Sequence, residues 1–399
     1  MTRVGGRKYY RFARAGDGFA FRASALRDAE RSFPVKNPGS LREEPTFRPP
    51  RANAWLLWSL SALLSASAFA LRASAENPPR RGLVTDVRTV IIRSSVDGAE
   101  QPALFYAPPG ARPGMAGGAV PLLVSLHSWS ASFDKYDSLQ STLMGCIRRG
   151  WVFISPDFRG PNTRPEACGS DLAVRDVRDA VGFARENALV DAGRIYLMGA
   201  SGGGHMGLLL ARRAPDLWAG VSVACPITDL SSWYRFCEDK KYRYAEMMRG
   251  CFNGPPDVPE RAAEYRRCSP LFCLEVAKGI PIDIQTGILD GHGGRAVPVD
   301  HSLRAFNVLL EANGLANKKF TPEEINYITE KARLPSSLST ETSNEPGRKY
   351  PILFRRDAGV VRLTLYDAGH DFDSGSGGEE PPALAWLEKQ HGDLARRQK

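Results

Sequence analysis

Ser201 stands at the centre of Gly199-Ala200-Ser201-Gly202-Gly203, where flanking glycines let the backbone turn sharply and present the hydroxyl. A serine hydroxyl is a poor nucleophile until a base takes its proton, so the motif asks for a histidine. Six are present, and five precede the tail: His127, His205, His292, His301 and His370. His370 follows the last apolar run, in Tyr366-Asp367-Ala368-Gly369-His370-Asp371-Phe372. The chain order nucleophile, acid, histidine selects it, because His292 and His301 come too early. The acid must hold the imidazole in its working tautomer and stabilise the imidazolium. Asp290, in Gly287-Ile288-Leu289-Asp290-Gly291-His292, is preferred. Asp300 sits where a helix cap belongs, and Asp283 lies inside an apolar run. Ser201, Asp290 and His370 would together perform acyl transfer to water through a covalent acyl-enzyme.

The tetrahedral intermediate of that reaction needs N–H donors for its oxyanion. One is expected from Gly202, next to the nucleophile, and the other from the backbone of Ser128 or Trp129 in His127-Ser128-Trp129-Ser130. Trp129 would also wall the acyl pocket, or else serve as a packed structural indole. Trp233 and Tyr234 are candidate substrate contacts in a lid, with Tyr242, Tyr244 and Phe252 as companions, or else the core of a small subdomain. No cofactor or metal is expected. Asp290, His292, Asp300 and His301 are better read as loops around the acid, and Asp371–Gly375 lacks the later acidic ligand of a calcium loop.

Such residues need elements that hold them. Apolar strand-like runs alternate with helical stretches from Leu83 onward, the signature of a mostly parallel sheet. Strands are predicted at Leu83–Ile92 and Ala103–Tyr106 (an opening hairpin), then at Val120–Leu126, Trp151–Ser155, Arg194–Met198, Trp218–Ala224, Pro281–Ile288 and Val360–Tyr366. Helices are predicted at Tyr136–Arg149, Leu172–Ala188, His205–Arg213 and Ser302–Ala312. Arg194–Met198 runs straight into the serine turn, and a helix follows, which is the context the motif requires. Two insertions interrupt the rhythm. Residues 228–280 are rich in aromatics and cysteines, and residues 316–358 hold a helix start at Thr321-Pro322-Glu323-Glu324 and a polar loop over 336–348. The catalytic domain is expected over 83–392.

The 399 residues carry a net charge of +9. Residues 1–75 hold 13 Lys/Arg against 5 Asp/Glu, which leaves 40 basic and 39 acidic residues for the rest. The fold therefore has no bulk field for nucleic acid, and no nucleic-acid partner is expected. Within the leader, Arg48 and Arg51 precede an apolar stretch over 54–71 that ends in Ala73-Ser74-Ala75, the three parts of a secretory signal. A single membrane anchor is the competing reading. Both place the domain outside the cytoplasm, periplasmic or extracellular, with membrane contact only through the anchor. Seven cysteines lie between Cys146 and Cys273. In an exported protein Cys237, Cys251, Cys268 and Cys273 would pair first, with buried free thiols as the alternative, and no Cys-x-x-Cys suggests zinc.

Residues 120–375 resemble the catalytic domain of the prolyl oligopeptidase family and its bacterial esterase-like relatives. The resemblance rests on LLVSLHSWS (122–130), SPDFRGPN (155–162), GRIYLMGASGGGHM (193–206), GILDGHGGRAVPVDHS (287–302) and YDAGHDF (366–372). It implies an α/β-hydrolase fold, with a mostly parallel central sheet flanked by helices and lid-like insertions. It also implies Ser201, Asp290 and His370 as a triad, a small-molecule or short-peptide substrate, and a structural role for Asp157-Phe158-Arg159-Gly160. About eight residues separate Ala75 from the first strand, too few for the β-propeller of the family's peptidases, so an ester substrate is expected as readily as a peptide.

Overall fold

Alternation at period two decides which face each strand residue joins. In Val120–Leu126, Leu122, Val124 and Leu126 pack into one core, while Leu123 points into the other. Ile195 and Leu197 follow the first rule, Tyr196 and Met198 the second. Strands buried on both faces in this way need helices above and below. The computed structural model describes residues 86–392 except 295, 339–344 and 379, within the unit Ser74–Lys399. The leader and its apolar stretch lie outside the described residues. Among those residues no helix is long and apolar enough to cross a membrane.

The described strands are β1 (Arg88–Arg93), β2 (Glu100–Tyr106), β3 (Val120–Leu126), β4 (Val152–Pro156), β5 (Val190–Ala200), β6 (Gly220–Ala224), β7 (Ile282–Gly287), β8 (Ile352–Ala358) and β9 (Val361–Tyr366). They form one sheet in the order β1-β2-β4-β3-β5-β6-β7-β9-β8. The centre from β4 to β9 is parallel, and the ends are antiparallel. The helices are α1 (Tyr136–Arg149), α2 (Asp171–Asn187), α3 (Gly202–Arg213), α4 (Leu230–Asp239), α5 (Tyr244–Phe252), α6 (Pro259–Cys268), α7 (Asp300–Ala312), α8 (Pro322–Lys331) and α9 (Pro382–Leu387). α2, α3 and α7 cover one face, and α1 and α9 the other. This is the α/β-hydrolase fold.

Local chemistry explains several boundaries. The Ser170 side chain accepts from the Ala173 N–H to open α2, and Thr321 and Glu324 form a reciprocal capping box at α8. On the face covered by α9, four polar side chains replace apolar ones. Arg362 donates to Asp283 at 2.7 Å, and Ser222 and Gln285 donate to the same carboxylate at 2.8 and 2.6 Å. The Asp283 charge is thus buried but matched on every side.

Two departures from expectation have plain causes. The second insertion ends before Ile352, because Ile352–Ala358 is the antiparallel edge strand β8. An edge strand needs few buried residues, and its sequence, ILFRRDA, shows none of the continuous apolar character of the central strands. No cysteine is in a disulfide: all seven are free, and only Cys273 is exposed. The expected pairing of Cys237, Cys251, Cys268 and Cys273 therefore does not occur.

Candidate active site

β5 delivers Ser201 to the carboxyl end of the sheet, and the turn into α3 holds it at φ 57° and ψ −114°. A non-glycine residue there is strained by about 1–3 kcal/mol, so the surroundings must enforce the conformation. They do: the Ser201 N–H donates to Ala224 O on β6 at 2.8 Å, and Ser201 O accepts the His205 N–H at 2.9 Å. The small neighbours are required by close approach. A Cβ on Gly202 would stand 2.2 Å from the Trp129 nitrogen.

His370 arrives on the loop after β9. That loop crosses directly over the end of β7, where a Cβ on Gly287 would meet the carbonyl oxygens of Gly369 and Ala368 at 2.2 and 2.3 Å. Its Nε2 lies 2.9 Å from Ser201 Oγ, and its Nδ1 lies 2.7 Å from Asp290 Oδ2. Asp290, buried in the turn after β7, accepts from the Gly291 and Val297 N–H groups through Oδ1 at 3.0 and 3.2 Å. Those bonds leave Oδ2 aimed at the imidazole. Burial disfavours the His370 imidazolium, but the Asp290 hydrogen bond and charge, helped by Cys225, outweigh it and raise the pKa above the ordinary value.

The other histidines stand elsewhere. His292 Nε2 meets Thr329 O at 2.7 Å, and His205 Nε2 meets Cys268 O at 2.8 Å. His301 Nδ1 accepts from the Thr228 N–H at 3.0 Å. Asp300 pairs with Arg304 on its own helix.

The His127–Ser130 segment lies against the serine turn. Among the described residues neither the Trp129 nor the Gly202 N–H has an intramolecular acceptor. The segment is braced from behind. His127 stacks on Phe158 at 3.8 Å and approaches Asp157 O with Nε2 at 2.6 Å, while the Asn162 N–H donates to Trp129 O at 2.9 Å. Arg159, in the same 157–160 turn, ties Asp97 to Asp176 on α2 at 2.8 and 2.5 Å.

Residues 138–324 match the family model described as the prolyl oligopeptidase family, a span that contains Ser201 and Asp290. The chain carries a prolyl oligopeptidase family domain. Solved structures similar to it include the acylaminoacyl peptidase of Pyrococcus horikoshii (22% identity, 57% of this chain and 35% of that one, TM-score 0.44). A thermostable esterase is 17% identical over 77% of this chain and 63% of its own, with a TM-score of 0.44. A puromycin-hydrolyzing peptidase of Mycobacterium tuberculosis is 19% identical over 65% and 40%, with a TM-score of 0.45. The match spans about a third of the Pyrococcus chain.

Three aromatic expectations need correction. Trp233 and Tyr234 are 1% and 2% exposed and have no face free for a substrate. They belong to a core shared by α4, α5 and α6, where Trp233 donates to Ala296 O at 2.7 Å and Tyr234 packs on Tyr265. The Trp129 ring is also 1% exposed and sits edge-on between His205 and Trp233 at 5.7 and 4.8 Å, so it anchors its backbone and walls no pocket. Sequence reasoning missed Cys225, whose sulfur joins Asp290 and His370. Its place just after the buried run of β6, at the end of the sheet where ligands bind, was the available signal.

Proposed function

We propose that the domain hydrolyses acyl bonds, ester or peptide, with Ser201 as nucleophile, His370 as general base and acid, and Asp290 as the orienting carboxylate. The observation that carries this reading is the unbroken relay Ser201 Oγ–His370 Nε2, His370 Nδ1–Asp290 Oδ2 at 2.9 and 2.7 Å. As Ser201 Oγ attacks the carbonyl carbon, its proton passes to Nε2, and Asp290 stabilises the imidazolium through Nδ1–H. The Gly202 N–H, and the Trp129 N–H rather than that of Ser128, receive the oxyanion. Both lack an internal acceptor among the described residues, and the two backbones approach closely. His370 then protonates the leaving group and activates a water that releases the acid.

The reaction acts on a carbonyl and is common to small esters and short peptides. The test is labelling with a fluorophosphonate: the wild-type chain should become modified and Ser201→Ala should not. Equal labelling of both, or of neither, refutes the assignment. Parallel assays with acyl esters and short peptides then decide which bond is cleaved faster. We further infer export from the basic flank, apolar core and Ala73-Ser74-Ala75. Protein recovered outside the cytoplasm should begin at Glu76, and an intact leader on all of it would contradict cleavage.

A further inference from the structure

We propose that Cys225, Asp290 and His370 form an inhibitory site for a thiophilic divalent cation, represented here by Zn2+. The proposal rests on reading His370 as the catalytic base. Cys225 is the first residue after β6, next to the Ala224 carbonyl that holds the nucleophile's N–H. Its own backbone is fixed at φ 47°, with its N–H donating to Gln285 O on β7 at 2.8 Å. The thiol is thereby pushed under the His370 loop. There Sγ meets Asp371 O at 3.6 Å, Tyr366 Oη at 3.7 Å and Thr286 Oγ1 at 3.8 Å.

One ligand atom from each of Cys225, Asp290 and His370 lies within 4.8 Å of the other two, and no other such trio occurs among the described residues. One sulfur, one imidazole nitrogen and one carboxylate oxygen are a donor set that suits zinc rather than magnesium or calcium. At zinc bond lengths of about 2.0–2.3 Å, tetrahedral ligands sit about 3.5 Å apart, so the His370–Asp290 contact must open slightly while the thiol closes by about 1 Å. The thiolate and the carboxylate together neutralise the ion, which suits a buried position. The three residues are 65 and 80 positions apart in sequence, which is why no metal-ligand spacing reveals them.

The Nδ1–Asp290 contact puts the ion where the shared proton now lies. The thiol proton leaves for solvent. The neutral imidazole keeps its single proton, moved from Nδ1 to Nε2, the atom that faces Ser201. A protonated Nε2 cannot accept the serine proton, so the bound ion stops the reaction at its first step. A water completes the tetrahedron.

The test uses the full chain in a Cys273→Ser background, which removes the exposed thiol. Zn2+ should inhibit hydrolysis of an acyl ester and a chelator should restore it. Cys225→Ala, and Cys225→Ser as a check on folding, should weaken inhibition at least about tenfold, each measured against that variant's own chelator-treated activity. Co2+ should give the parent chain a near-ultraviolet sulfur-to-metal absorption that both Cys225 variants lack. The cobalt spectrum is read without turnover, so a chain that hydrolyses nothing still tests the site. Inhibition of equal strength in Cys225→Ala, or no Cys225-dependent cobalt band, overturns the proposal.

Discussion

The proposed reaction requires a neutral His370 to take the Ser201 proton, yet Asp290 favours the charged form. The two demands set a pH profile. Activity rises as the imidazolium loses its proton, and a raised pKa moves that rise to higher pH. The acid limb of kcat/KM should therefore lie above the ordinary imidazole value of about 6.5. Asp290→Asn removes the charge that stabilises the imidazolium. It should shift the limb to lower pH and reduce kcat by about 10,000-fold, because the working tautomer is lost. An unmoved limb in the variant would show that Asp290 does not set the His370 pKa. Gly202 offers a second check at this scale. A Cβ 2.2 Å from the Trp129 nitrogen must displace the loop or the serine turn. Gly202→Ala should then cost kcat about 100-fold or more, comparable to losing an oxyanion donor, with KM little changed. Of these groups, the meeting of Ser201, Asp290 and His370 was legible from residue type and chain order. Cys225 was not, because its partners come from the loops after β7 and β9, and only the folded sheet brings them together.

The strands that carry the site read clearly from sequence, since each is a short apolar run buried on both faces. β8 did not, because an edge strand buries only some of its residues, and neither did α9, which is six residues long. The aromatics of 228–280 illustrate a different limit. Composition is the same for a lid wall and for a small core, and only burial separates them. Trp233 consequently becomes a test of the α4–α6 unit. Trp233→Ala should lower stability by about 3–5 kcal/mol in a denaturant titration, and it should lower kcat as well, since Trp233 holds the Trp129 ring. Retained kcat at unchanged geometry of binding would mean that the two are mechanically separate. On the opposite face, Arg362→Leu strands the fully buried Asp283 carboxylate and should cost about 3–5 kcal/mol. Arg362→Leu combined with Asp283→Leu should recover much of that loss.

Three deeply buried histidines, His127, His205 and His301, contribute to the response of the fold to acid. Burial lowers the pKa of each, for His205 to about 4. In the unfolded chain they titrate near 6.5, so below about pH 6.5, and for His205 down to about pH 4, the unfolded state binds more protons at these groups than the folded one. Stability is complete above that window and is lost as pH falls through it. Melting temperature should drop steadily from pH 7 to 4, and His205→Gln should flatten part of the slope. A slope unchanged in that variant would assign the acid sensitivity to other groups. Overall fold class was readable because the alternation of strand and helix survives both insertions. The acid response was not, because a histidine's burial depends on contacts such as His205 with Cys268 that no local pattern encodes.

Trp129 belongs to two neighbourhoods at once, its ring among the aromatics of α4 and its nitrogen beside Gly202. In evolutionary terms this yokes two traits. With the Trp129 N–H as the proposed oxyanion donor, drift in the packing of the insertion also moves that donor, so substrate binding and speed are not free to diverge independently. A library randomised around Trp233 should yield variants whose KM and kcat move together, and a population with widely ranging KM at constant kcat would sever that link.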